Sequence, residues 1–179
     1  TSFKIGGPAD ILVLPTSDEE IIHTLDVCNK LSIPVFVMGN GSNLLVRDKG
    51  IKGLVLKISD NYSEVEIDGT SINAQSGILM STISRLAVRN SLKGLEFASG
   101  IPGTLGGAVT MNAGAYGGEI RNIVKSVTAI DNRGNYHNLQ LEDLNFGYRT
   151  SCIQTNQLIV LKVNMDLEHG DQQESLAII

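Results

Sequence analysis

The sequence predicts an α+β fold assembled from two small units, and three observations predict it. A strand, a capped helix and a second strand follow one another within residues 9–38. Later strands pair as hairpins at turn-forming stretches. The 179-residue chain, 42% hydrophobic, can bury one substantial core or two smaller ones joined by a short connection.

Taken in order, residues 9–14 read as a buried strand. Thr16-Ser17-Asp18-Glu19-Glu20 then combines capping boxes with acidic residues in a first helical turn. The helix that follows carries an apolar face of Ile21, Leu25 and Cys28, with Ile22 and Leu31 alongside. Pro34 ends the connection before a strand at 35–38, which completes a β-α-β unit. Another strand occupies 53–58. Residues 64–68 and 71–75 alternate polar and apolar side chains and form a hairpin turned at Asp68-Gly69. The spacing of Leu79, Ile83 and Leu86 predicts an amphipathic helix reaching about Asn90, which opens the second α+β unit. Strands at 124–130 and 136–139 bracket the turn Asp131-Asn132-Arg133-Gly134, and 141–144 is a helical fragment. The clearest strand is 158–167, with Ile159, Leu161, Val163, Met165 and Leu167 on one face and Lys162, Asn164 and Asp166 on the other. Residues 172–179 begin a helix that has no stop signal, so the chain is expected to break off at the start of a further domain.

Composition excludes several functions. With 18% charged residues and a net charge of −5, the chain lacks the basic footprint that nucleic-acid phosphates require. The longest apolar stretches are strand-sized, far from the roughly 20 residues that span a bilayer, so a soluble protein is expected. Cys28, in a helix, and Cys152, in a loop, form no CxxC pair, and His23, His137 and His169 are scattered, so no metal site is expected. A reducing, cytoplasmic setting follows.

The chemistry is written in loops. Gly39-Asn40-Gly41-Ser42-Asn43 follows directly on the strand at 35–38. Glycine lets backbone N–H groups converge on an anion, and Ser and Asn add hydrogen bonds, so the loop can hold a pyrophosphate without a cation. It is neither a GxxxxGK[ST] P-loop nor a Rossmann turn, since Leu44 stands where a third glycine would and no helix start follows. A plain strand-to-strand turn is the alternative. The stretches 99–108 and 112–118 concentrate seven of the nineteen glycines. Since glycine costs about 0.5–1 kcal/mol in regular structure relative to alanine, that density indicates backbone packed on a flat ligand or on other backbone. A set of tight turns is the other reading. Arg149, in Phe146-Gly147-Tyr148-Arg149-Thr150-Ser151, offers a permanently charged fork suited to carboxylates, phosphates and enolates, and is otherwise a surface residue.

In order along the chain, Thr1-Ser2-Phe3-Lys4-Ile5-Gly6-Gly7-Pro8-Ala9, the 39–43 loop, residues 96–118 and Gly147-Tyr148-Arg149-Thr150-Ser151 closely resemble the UDP-N-acetylenolpyruvoylglucosamine reductases. The resemblance covers nearly the whole chain. It implies an FAD-binding fold of the vanillyl-alcohol-oxidase type, with one subdomain at 1–55, a second at 56–168, and the start of a truncated C-terminal substrate domain at 169–179. It further implies that Gly39, Asn40, Gly41, Ser42 and Asn43 hold the FAD pyrophosphate. Gly100, Ile101, Pro102, Gly103, Gly106, Gly107, Thr110, Asn112 and Gly114 would line the rest of the FAD path. With no His or Cys in either glycine-rich loop, noncovalent FAD is expected.

The implied reaction is reduction of a UDP-sugar enolpyruvyl ether by NADPH through FAD, a step of peptidoglycan precursor synthesis, with no obligate protein partner. Arg149 matches the family arginine that stabilises charge on the substrate. Tyr148 and Tyr116 are candidates for substrate contacts, or else for core packing. The family's proton-donating Ser and assisting Glu have no counterpart here, Ser151 standing too close to Arg149, so the chain alone is expected to bind FAD and turn over little. A flavin oxidase of the same fold and a noncatalytic flavin-binding module are the alternatives.

Overall fold

The computed structural model describes residues 1–178, so the last residue of the helix predicted over 172–179 lies outside the described residues. A three-stranded parallel sheet comes first, in the order β1-β3-β2. It comprises β1 (Ala9–Val13), α1 (Asp18–Lys30) packed on it, β2 (Val35–Met38) and β3 (Ile51–Lys57). There follow β4 (Val65–Asp68), β5 (Ser71–Gln75), α2 (Met80–Arg89), β6 (Leu92–Lys93), α3 (Leu105–Thr110), β7 (Gly114–Ala115) and β8 (Gly118–Glu119). The chain continues through β9 (Val124–Ile130), β10 (Tyr136–Gln140), α4 (Cys152–Thr155), β11 (Ile159–Asp166), β12 (Glu168–His169) and α5 (Gln172–Ile178). Five of these strands form an antiparallel sheet in the order β10-β9-β11-β5-β4.

The first helix forms where capping chemistry places it. The Ser17 hydroxyl accepts the Glu20 N–H at 3.3 Å, and the Glu20 carboxylate accepts the Thr16 N–H at 2.7 Å. Such caps are worth about 1 kcal/mol. Ile21, Leu25 and Cys28 are buried as expected, whereas Leu31, beyond the last turn, is exposed. Residues 9–13 form β1, but it is not a buried strand. It lies at the sheet edge with Ile11 and Leu12, on opposite faces, both exposed, as is Leu14 just beyond it.

In α2 the predicted stripe holds at Ile83, which is buried, and at Leu86, which packs half-buried against the core, but not at Leu79. Leu79 is the cap, partly exposed, and the buried face is Met80, Ile83, Ser84, Ala87 and Val88. Cys152 is buried, and it is the first residue of α4 rather than part of a loop. The hairpin at 65–75 is paired as expected, with Gly69 and Thr70 at its tip.

The expectation for β11 fails instructively. Its register against β9 slips between Val160 and Lys162, a bulge that turns the strand over. Val160, Val163, Met165 and Leu167 therefore enter the main core beneath α2 and α3, while Ile159 and Leu161 enter a second core. That second core is made by α1 (Ile21, Leu25, Cys28) on β3 (Leu54, Leu56), with Tyr62 and Ile130. The buried Tyr62 hydroxyl donates to Asp18 at the start of α1. Burial first, and then this carboxylate, push the phenol well above its ordinary range.

At the end of the chain β12 pairs with β6, and the Ser175 hydroxyl of α5 donates to the Glu96 carboxylate at 2.7 Å. Residues 168–178 thus fold back on the larger sheet's helical side. The first sheet's edge strand β2, with the loop after it, faces α3 across a cleft.

Candidate functional site

Two depressions meet at one arginine. The larger is a cleft of about 640 Å³, within the 300–1,000 Å³ usual for small-molecule and cofactor sites. One wall is the end of β2 and the 39–43 loop; the other is 101–113, containing α3; Leu158, Ile159 and Val160 lie between them. Arg149 is the one charged residue among those lining it.

The two glycine-rich loops close against each other. A methyl at Gly39 would collide with the Thr104 hydroxyl, so only glycine lets the loops approach this closely. The Asn40 side-chain amide donates to the Pro102 carbonyl at 3.1 Å, and that of Asn43 lies 3.0 Å from the Met111 sulfur. Both side chains therefore fasten the loop across the cleft, leaving its backbone to face a ligand. Gly41 sits at φ +65°, in the left-handed region that favours glycine. Among the described residues, none of the N–H groups from Gly39 to Asn43 donates to a backbone carbonyl. A row of free N–H groups in a concave turn is an anion nest.

On the opposite wall the glycines sort into two kinds. Gly106 is demanded by protein packing, since a Cβ there would lie 2.8 Å from the Ser76 Cβ. Gly103 and Gly107 are not: a methyl at either would make only ordinary contacts, at 3.5 Å to the Ser42 hydroxyl and 3.6 Å to the Thr104 hydroxyl. Gly107 even lies within α3, where glycine costs about 1 kcal/mol relative to alanine. Bare backbone kept at a cleft wall against its own folding preference suits the flat face of a ligand. Ile101, Pro102 and Thr110 also line this cleft; Gly100 is not among its lining residues, and a methyl there would meet nothing within 4 Å.

The smaller depression, about 200 Å³, is lined by Asn112, Gly114, Ala115, Tyr116, Gly117, Gly118, Glu119, Tyr148 and Arg149. Arg149 occupies the tip of a tight turn closed by the Gly147 N–H on the Thr150 carbonyl at 3.1 Å, and its Nη2 donates to the Gly114 carbonyl at 3.0 Å. Its guanidinium lies 5.8 Å from the Tyr148 ring centre. Arg149, Tyr116 and Asn112 all have positive φ, at 55°, 51° and 42°. Left-handed backbone costs a non-glycine residue about 1 kcal/mol or more, and strain gathered around one depression is a mark of a functional site. Tyr116 and Tyr148 are 95% and 91% exposed, which overturns core packing for either ring.

Asn112 differs from the rest of the predicted FAD path. It is buried, and its side chain is engaged on all sides by protein: Nδ2 donates to Glu119 and to the Gly147 carbonyl, and Oδ1 accepts the Arg121 N–H. Gly114 likewise packs against Gly118 rather than against open space. Sequence reasoning overlooked Phe36, Val37, Ile58, Ser76 and residues 158–160 as lining. One signal was available, because four successive apolar residues at 35–38, with a single sheet face to bury, leave an apolar face over for something else.

A family model described as FAD binding domain matches residues 9–140. The chain belongs to that family. Among curated relatives, the UDP-N-acetylenolpyruvoylglucosamine reductase of Alkaliphilus metalliredigens is 53% identical over 100% of this chain and 59% of its own length. That of Clostridioides difficile is 49% identical over 97% of this chain and 57% of its own length. A crystal structure of UDP-N-acetylenolpyruvylglucosamine reductase from Thermus caldophilus superposes with a TM-score of 0.85 at 33% identity, covering 99% of this chain and 62% of that one. An alkyldihydroxyacetonephosphate synthase structure shares the fold alone, with a TM-score of 0.64 at 18% identity over 88% of this chain and 31% of that one.

The motif resemblance and the FAD-binding fold expected from it are both borne out. The chain spans less than two thirds of the length of the reductases it matches. Among the described residues, no helix is long and apolar enough to cross a membrane.

Proposed function

We propose that the chain is the FAD-holding part of a UDP-N-acetylenolpyruvoylglucosamine reductase, working in the cytoplasm on a peptidoglycan precursor. The observation that carries this reading is the place of Arg149, the one cation of a glycine-walled cleft and at the same time the border of the second depression. The relatives' names and a match that runs over the whole of this chain support it.

The residues fit an FAD molecule: free N–H groups from 39 to 43 suit its pyrophosphate, and the unfilled surface at Gly103 and Gly107 suits a flat ring system. In this reading Gly39, Asn40, Gly41, Ser42 and Asn43 hold the phosphates. Gly100, Ile101, Pro102, Gly103, Gly106, Gly107 and Thr110 line the remaining path, with Gly114 shaping its end. The cofactor is held without a covalent bond. When bound, FAD supplies hydride carriage from NADPH to the enolpyruvyl group, making UDP-N-acetylmuramate. Arg149 supplies fixed positive charge where the substrate carboxylate accumulates negative charge, and Tyr148 and Tyr116 flank the substrate. Donors of this kind contribute about 2.7–4 kcal/mol to transition-state stabilisation.

In this reading 1–55 is one FAD-binding subdomain and 56–168 a second, a division that the separate parallel and antiparallel sheets support. Residues beyond 168 lead toward a substrate domain. Turnover belongs to a protein of the relatives' length, and the 179 residues alone bind FAD with little activity. The test is to incubate the protein with FAD, gel-filter it, record its absorbance, then add NADPH without oxygen. A retained, perturbed flavin spectrum supports the site, and bleaching by NADPH supports the reductase. A colourless protein that remains folded overturns the FAD reading for this chain.

A further inference from the structure

We infer that Asn112 is a positioning residue for Arg149, acting through the turn that carries it and not by touching the cofactor. This rests on the proposed role of Arg149 but stands on its own geometry. Asn112 directly follows α3 and its cap Met111, in left-handed backbone, with its N–H on the Val109 carbonyl at 3.2 Å and the next N–H on the Ala108 carbonyl at 2.8 Å. Asparagine is a common helix-ending residue in that conformation, which accounts for its backbone but not for its side chain.

Asn112 is 2% exposed, both of its Nδ2 donors are engaged, and Oδ1 accepts one hydrogen bond. Nδ2 reaches the Glu119 carboxylate at 2.8 Å and the Gly147 carbonyl at 3.0 Å, and Oδ1 takes the Arg121 N–H at 3.1 Å. Glu119 is in turn paired with the Arg121 guanidinium at 3.0 Å. Gly147 is the residue from which the Arg149 turn springs, and Gly114, whose carbonyl receives Arg149, is paired with Glu119 in the β7-β8 ladder. One buried amide thus fixes both surfaces between which the guanidinium is held. The turn has one further tie, the Ser151 hydroxyl on the Thr110 carbonyl at 2.8 Å. No donor of the Asn112 side chain remains for a cofactor, and its oxygen is already held by the Arg121 N–H.

Asn112→Gly isolates the claim, because glycine keeps the left-handed backbone at little cost and deletes only the ties. On the chain as it stands, amide exchange followed by NMR is expected to quicken roughly fivefold or more at Gly147 and Thr150, with FAD affinity changed less than threefold. Unchanged exchange at those amides, or a tenfold loss of FAD affinity, overturns the inference. In a protein of the relatives' length, Asn112→Gly is expected to lower kcat at least tenfold beside Arg149 and to cost nothing further beside Arg149→Ala. A full additional loss in the Arg149→Ala background also overturns it. Failure of the reductase reading itself shows separately, as no NADPH-dependent turnover by the unmodified protein, and leaves the exchange result to decide.

Discussion

The two depressions that meet at Arg149 are built on opposite plans. The larger is made by leaving side chains out, with glycine backbone along both walls, free N–H groups in the 39–43 loop and a single charge at one end. The smaller is made by holding side chains in place, with Asn112, Tyr116 and Arg149 all in left-handed backbone and the Asn112 and Arg149 side chains tied to carbonyls 35 residues away in sequence. Backbone recognition tolerates what the ligand does chemically and suits a cofactor that must be held through a reaction. Held side chains suit the place where charge changes. Ligand affinity should therefore be lost through added atoms in the first region, and rate through removed atoms in the second.

The largest expected effect comes from filling the first. Gly107→Leu should lower FAD affinity more than a hundredfold in a flavin fluorescence titration. Gly107→Ala should lower it about tenfold while raising the melting stability of the FAD-free chain by about 0.5–1 kcal/mol, since alanine is the better helix former. A Gly107→Leu protein that still binds FAD tightly would remove the distinction between the two plans.

Next in size, Arg149→Ala in a protein of the relatives' length should reduce kcat by roughly 10²- to 10³-fold and leave FAD affinity within about threefold. Steady-state kinetics beside the same titration checks it. A third change should touch neither region. The Ser84 hydroxyl is buried in α2 with no hydrogen-bond partner among the described residues, so Ser84→Ala should stabilise the chain by about 1 kcal/mol in denaturant unfolding.

The smallest effect concerns pH. Burial alone would raise the Glu96 carboxyl, but hydrogen bonds from Ser175, from its own backbone and from the Gly94 N–H outweigh burial and hold it below its ordinary 4.5. A depressed carboxyl stabilises the fold above its unfolded value and loses that contribution as pH falls through the folded one. Protease cleavage near α5 should therefore quicken as pH drops below about 4.5 while the rest of the chain stays protected.

These regions also differ in how far the sequence discloses them. Glycine loops are visible because composition is local, and α1, the 65–75 hairpin and the β9-β10 turn were readable for the same reason: caps, alternation and turn residues act within a few positions. The errors share a cause in non-local packing. β1 looks buried until its place at a sheet edge is known, and α2 was read one residue early because an apolar Leu79 occupies the cap. The tie between Asn112 and Gly147 is hidden in the same way, since nothing near Asn112 in sequence reveals its partner. The bulge in β11 carries no marker residue at all.

That bulge has a consequence for the order in which the protein can assemble. β11 lies at the centre of the larger sheet, between β9 and β5, and sends Ile159 and Leu161 into the other core. It is also the last strand of the larger sheet in chain order. On the ribosome, neither half can seal its interior until residues 159–166 have emerged, so the nascent chain must hold α1, the glycine loops and four strands of the larger sheet unfinished. The cleft is complete only once residues 158–160, which line it, are in place.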